Sequence, residues 1–285
     1  GAVDCGYSVT HDGGLSWTRA LIPQLTPASG GPYPRATDPV AGIDLAGRVY
    51  LCTDAATDAD FSQGVILVSR SLDGGASFAA PVVVFQPSVS TDFADKPWMA
   101  VNTFAGTAHA GRILITWTLF GTTSASPIYR SFSDDHGLTW SAAAPIHSTA
   151  TSAQGSQPVF LPDGKVAIVY WNFAATAQEE IDVVLSSDGG ATFGAPTRVT
   201  TVARYDQPSI RNGVFLPSAT TDRINGHLSL VYRGLDTTGQ PRIFFTKTTN
   251  AGATWTAPVA HTDNPGTRVF NPPPAPAPAR QRRPA

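Results

Sequence analysis

Ser133–Trp140 reads Ser-Asp-Asp-His-Gly-Leu-Thr-Trp, and the chain carries this octapeptide five times. The other copies are Thr10–Trp17 (T-H-D-G-G-L-S-W), Ser71–Phe78 (S-L-D-G-G-A-S-F), Ser186–Phe193 (S-S-D-G-G-A-T-F) and Thr248–Trp255 (T-T-N-A-G-A-T-W). A hydroxyl residue is followed at +2 by Asp or Asn, at +4 by Gly and at +7 by Trp or Phe. The Asp/Asn positions, 12, 73, 135, 188 and 250, are separated by 61, 62, 53 and 62 residues. A near-constant period of this size is the mark of a repeat architecture.

Each copy reads as a tight connection between two strands. A short carboxylate or amide accepts hydrogen bonds from backbone N–H groups further along the turn. Glycine supplies a positive φ without a Cβ clash, and the closing aromatic anchors the next strand in a core. Asp12, Asp73, Asp135, Asp188 and Asn250 are therefore assigned to the fold, because such a turn uses their acceptors locally.

Two further markers recur in phase. Gly followed by Arg, Lys or His and an apolar run opens each second strand, as at Gly47, Gly111, Gly164 and Gly226. Ala-Pro follows each of the last four octapeptides. Inner strands are expected at Pro39–Ile43, Lys96–Val101, Gln157–Leu161 and Val214–Pro217. Each unit cannot bury both faces alone, so neighbours must stack. The expected fold is all-β, a β-propeller of four-stranded antiparallel blades. Four blades are complete, and a half blade precedes them because residues 1–23 hold only a third and a fourth strand. The domain runs over 1–266. Residues 267–285, rich in Pro, Ala and Arg, are expected to be an extended tail, since alternating Pro and Ala cannot pair as a central strand.

Composition agrees with this. Of 285 residues only 14% are charged, the formal net charge is −2, and Gly (26) and Pro (24) are abundant. Nothing in that balance points to nucleic acid or a membrane surface, and no apolar run reaches the ~20 residues of a membrane span. Cys5 and Cys52 fall on strands of adjacent blades. A disulfide and two buried thiols are both open readings.

The octapeptide resembles the Asp box, the BNR repeat of sialidases and related β-propellers, over about residues 1–262. The resemblance implies a propeller, six-bladed in the sialidases, in which each box joins the third and fourth strands of a blade. This chain would then be a fragment or an open arc, secreted and monomeric, with a sialoside-like glycan as its ligand and no cofactor. If it is an enzyme, it is a glycoside hydrolase resembling exo-α-sialidase. The alternative is a non-catalytic module that binds glycans or proteins outside the cell.

Ligand-binding groups would lie at the end of the blades away from the boxes, on loops presented by a rigid scaffold. The loops entering the inner strands offer Arg35 and Asp38; Asp92, Asp95, Lys96 and Trp98; Gln157; and Tyr205, Asp206 and Arg211. Those joining second and third strands offer Asp54, Asp58, Asp60, Glu179 and Glu180. The resemblance implies an arginine clamp on a substrate carboxylate, a Tyr nucleophile, a Glu that activates it and an Asp acid/base. Those roles fall to Arg35, Arg211 and Arg233; to Tyr205; to Glu180; and to Asp95. Trp98 and Asp206 complete the substrate-binding set. The Arg-Ile-Pro motif of the family is absent, and Glu179 and Glu180 are the only glutamates. Asp54, Asp58 and Asp60 read as a hydrated acidic loop, and no metal is expected.

Overall fold

In the computed structural model the described residues are 4–58, 63–88, 92–121, 125–147, 152–173, 179–203 and 216–261. They form one two-stranded and four four-stranded sheets, all antiparallel and all in chain order. β1 (Gly6–Val9) pairs with β2 (Thr18–Leu21). The second sheet is β3 (Arg35–Ile43), β4 (Val49–Ala56), β5 (Gly64–Ser71) and β6 (Val82–Phe85). The third is β7 (Phe93–Val101), β8 (Ile113–Phe120), β9 (Ile128–Ser133) and β10 (Ala144–Pro145). The fourth is β11 (Ala153–Phe160), β12 (Val166–Asn172), β13 (Glu179–Ser186) and β14 (Thr197–Val202). The fifth is β15 (Ser218–Thr221), β16 (Leu228–Leu235), β17 (Pro241–Thr248) and β18 (Val259–Ala260). Among the described residues no sheet closes on itself. The first strands β3, β7, β11 and β15 touch one another in that order, so the sheets stack like blades. No helix among the described residues is long and apolar enough to cross a membrane.

The core lies between sheets. Successive side chains of a strand point to opposite faces, and in the middle sheets both faces are covered. On β4, Tyr50 and Cys52 pack with Met99, Ile113, Ile115 and Trp117 of the third sheet, while Leu51 joins Cys5, Ile22 and Leu25 of the first. On β12, Ile168 and Tyr170 face the third sheet, while Ala167 and Val169 face Leu228, Leu230 and Tyr232 of the fifth. Double-sided burial is why V-I-L-V in β5 and I-L-I-T-W in β8 are continuous β-type runs rather than alternating ones. Cys5 and Cys52 are two free, buried thiols. They lie in different clusters, so the disulfide reading is withdrawn.

Every octapeptide is a strand connection: β1–β2, β5–β6, β9–β10, β13–β14 and β17–β18. In the third copy Ser133 Oγ donates to Asp135 Oδ1 (2.8 Å) and accepts from the Gly137 N–H (2.8 Å). Asp135 also accepts from the Thr139 N–H (2.9 Å) and hydroxyl (2.6 Å). The other copies repeat this, and the +6 hydroxyl (Ser16, Ser77, Thr192, Thr254) is a further fixed partner of the central residue. Residues +3 and +4 are both left-handed, His136 at φ 63° and Gly137 at 78°. Burial pushes the Asp135 carboxyl up, but the bonds from Thr139, Ser133 and Leu138 outweigh it and hold the group down to about 2. Asp188 is likewise held at about 2 against burial, by Thr192 and Ser186.

The first three inner strands start earlier than expected. Pro39 and Pro97 do not open strands but lie inside β3 and β7, because each occupies a bulge where no ladder N–H is needed. Arg35, Asp38 and Asp95 are thus strand residues, not loop residues, and Lys96, Trp98 and Gln157 are strand residues as the expected strands Lys96–Val101 and Gln157–Leu161 had them. The last inner strand among the described residues is Ser218–Thr221; Val214 and Phe215 of the expected Val214–Pro217 lie outside the described residues.

Candidate active site

The bulge is the device that builds the site, and it occurs three times at one register. In β3 it falls between Thr37 and Val40, in β7 between Asp95 and Trp98, and in β11 between Gln154 and Gln157. Two residues on the inner strand oppose one on the second strand, which bends the strand and re-aims a side chain. The first bulge residue is left-handed each time: Asp38 at φ 50°, Lys96 at 56° and Gly155 at 67°. A left-handed backbone is expected of Gly155, where an added Cβ would lie 2.5 Å from Leu216 Cδ2. For Asp38 and Lys96 it is a strained choice of the kind that clusters at functional sites.

The bulges bring three carboxylates together. One oxygen each of Asp38, Asp54 and Asp95 lies within 4.8 Å of the other two. Asp54 is on β4, paired with Thr37, on the face that carries Tyr50 and Cys52. It is no part of a hydrated loop: its exposure is 0%, and neither oxygen has a hydrogen-bond partner among the described residues. Asp95 accepts from Gln154 Nε2 at 2.7 Å. Asp38 accepts from the Thr37 hydroxyl at 3.3 Å and faces Lys96 Nζ at 3.7 Å. The Lys96 ammonium also sits 5.5 Å from the Trp98 ring centre, within cation–π range.

Electrostatics follows from this crowding. Burial, then the charges of Asp38 and Asp95, push the Asp54 carboxyl up to about 8. Burial and Asp38 also raise Asp95, against the hydrogen bond from Gln154 and the charge of Lys96. The crowding thus favours the protonated form of Asp54. Chemically, a carboxyl whose proton is held this strongly can deliver it to a leaving oxygen.

Asp95, Trp98 and Lys96 join this site. Arg35 is the first residue of the same β3 strand, paired with Ala56. Glu180 is not a loop residue: it lies in β13 and accepts from Arg198 Nη1 at 2.9 Å. Arg233 is buried on β16, with the third and fourth sheets between it and Arg35 in chain order. Tyr205, Asp206 and Arg211 lie outside the described residues. The sequence reading undervalued Asp38 and Asp54. The signal that could have found them is a second recurrence, Ala36-Thr37-Asp38-Pro39 and Ala94-Asp95-Lys96-Pro97, in step with the octapeptides.

No protein-family model matches the chain. It is 24% identical over 216 residues to a sialidase of Micromonospora viridifaciens, covering 72% of this chain and 31% of that protein. The chain thus spans about a third of that relative's length. Among solved structures it is similar to a Hadza microbial sialidase (TM-score 0.61, 17% identity, 90% of this chain and 52% of the other). It is also similar to the intramolecular trans-sialidase of Ruminococcus gnavus, solved with oseltamivir carboxylate (TM-score 0.59, 12% identity, 81% and 72%). A third likeness is to the α-L-arabinanase of Penicillium chrysogenum, solved with arabinobiose (TM-score 0.60, 16% identity, 89% and 72%). These likenesses show the fold: an all-β, propeller-like stack of the sialidase type.

Proposed function

We propose that this chain is a sialidase-like propeller that acts on a glycan as a glycoside hydrolase, with Asp54 as the proton donor. The observation that carries the reading is the Asp54 carboxyl, buried, without a hydrogen-bond partner among the described residues and pushed up to about 8 between Asp38 and Asp95. Asp38 and Asp95 act through Asp54, as neighbours whose charges keep its proton in place. Asp95, the acid/base expected from the sequence, lies in the same carboxylate cluster. Trp98 offers a ring face to a sugar, and Arg35 offers a guanidinium to an acidic substituent.

The remaining roles rest on the family resemblance. Tyr205 would be the nucleophile, and Arg211 and Arg233 would complete the clamp with Asp206 nearby. In this reading the octapeptides are Asp boxes, the four complete blades and one half blade belong to 1–266, and 267–285 is a tail. The protein works outside the cytoplasm as a monomer.

One observation favours a non-catalytic glycan- or protein-binding module instead. Glu180, the proposed activator of the nucleophile, is held by Arg198. A fluorogenic α-sialoside separates the two readings. Turnover by the chain, lost in Tyr205→Phe and, on an alkyl α-sialoside, in Asp54→Asn, is the expected result. No turnover from a chain that circular dichroism shows to be folded would leave the binding module.

A further inference from the structure

We propose that Asp38, Asp54 and Asp95 also form a binding site for a hard divalent cation of the calcium or manganese class. The 4.8 Å that encloses one oxygen from each residue is about the span of two calcium–oxygen bonds laid end to end. A cluster of acids on a surface is commonplace, and burial sets this one apart. Asp54 is fully buried on the face of β4 that meets β7, and both its oxygens are without a hydrogen-bond partner among the described residues. Buried acceptors are normally satisfied. The next sheet shows how a purely structural residue does so at the same register. Thr118, paired with Asp95 as Asp54 is paired with Thr37, donates its hydroxyl to the Ala153 carbonyl at 3.0 Å.

The donor set is all oxygen, which suits calcium, magnesium or manganese rather than softer metals. Three carboxylates supply about half of the six to eight ligands such an ion takes, with waters or carbonyls for the rest. Lys96 is the competing cation. Its ammonium stands 3.7 Å from Asp38, on a partly exposed side chain, and a flexible stem lets it swing aside. The inference shares residues with the hydrolase reading and makes the two uses alternatives. A bound cation occupies the oxygens that Asp54 needs to carry its proton, so cation lowers turnover.

The test is thermal unfolding of the full, chelator-treated chain titrated with calcium chloride and with manganese chloride, against sodium chloride of matched ionic strength. The expected result is a saturable rise in Tm with at least one divalent ion, confirmed by calorimetric titration. Asp38→Asn and Asp54→Asn should each weaken binding at least tenfold, and Asp135→Asn should not. Asn tolerates the left-handed backbone at position 38, so Asp38→Asn should fold. No saturable rise with either ion overturns the inference, as does an equal rise in Asp38→Asn and Asp54→Asn. The readout needs no activity. Binding by a chain that hydrolyses nothing even when stripped of cation supports the inference and sinks the catalytic reading, whereas hydrolysis with no divalent shift sinks the inference alone.

Discussion

Asp54 and Thr118 occupy the same register position in neighbouring sheets, each opposite the residue that opens its inner-strand bulge. Thr118 closes its own hydrogen bond to the Ala153 carbonyl, while neither oxygen of Asp54 finds a partner among the described residues. A fold that needed only a satisfied residue here already had the hydroxyl solution in the next sheet.

Asp54→Asn is therefore expected to reduce glycoside turnover by about 10²-fold or more, the usual range for loss of a general acid, without lowering Tm. The deficit should shrink with a substrate whose leaving group needs no protonation. Steady-state kinetics on a pair of aryl and alkyl glycosides checks this, and an equal loss on both would remove Asp54 from the proton-donor role.

Asp135 and Asp188 have carboxyls held down to about 2, below the ordinary value of about 3.9. A depressed carboxyl contributes stability that is present above its unfolded pKa and is lost as pH falls through the folded one. Tm should therefore drop as pH falls from about 4 to about 2. The Asp135→Asn, Asp188→Asn double variant should lose less over that window than the parent. Asn250 shows that an amide can take the place: its Oδ1 accepts from the Thr254 N–H at 2.9 Å and its Nδ2 donates to the Thr254 hydroxyl at 2.8 Å. Differential scanning calorimetry across pH reads the difference.

Ser133 is buried, and its hydroxyl serves both Asp135 and the buried N–H of Gly137. Ser133→Ala leaves that N–H without its acceptor, at an expected cost of about 1–3 kcal/mol. Thr10 makes the same bonds in the exposed first copy. Thr10→Ala should cost less, because water can replace the hydroxyl there. Chemical denaturation of the two variants gives the comparison, and equal losses would show that burial does not set the strength of the turn.

Lys96 holds a left-handed backbone that glycine adopts freely. Lys96→Gly should raise stability by up to about 1 kcal/mol, or leave it unchanged, since relief of strain offsets the added freedom of the unfolded chain. Gly155→Ala, at the equivalent bulge, should be destabilising, because its Cβ would meet Leu216 side-chain atoms at 2.5–2.9 Å. Urea midpoints of the two variants should move in different directions or by clearly different amounts.

The octapeptides were legible because the side-chain bonds of the opening hydroxyl and of the Asp/Asn two residues on fall within eight residues, so residue type and spacing are enough. The same holds for the second and third strands, whose apolar runs are dictated by double-sided burial. The inner strands were misplaced at their starts because proline normally marks a strand boundary, and only the register of β3 on β4 and β7 on β8 reveals that Pro39 and Pro97 sit in bulges. Asp54 was read as a loop residue for a related reason. Its neighbours Asp38 and Asp95 lie 16 residues before and 41 after it in sequence, and no local pattern carries that meeting. Glu180 likewise looked free until β13 proved to begin at Glu179 and to place it beside Arg198.

The repeated bulge has a consequence for how such a protein can diversify. Three mounts at one register hold an acid, a cation and a bare backbone, in Asp38, Lys96 and Gly155, and the first two already carry side chains. The strain of the left-handed residue is already accommodated by the stacked sheets around it. Descendants of this chain can thus retune the charge around Asp54 one substitution at a time, with no insertion, no altered loop and no change to the turns that hold the blades together.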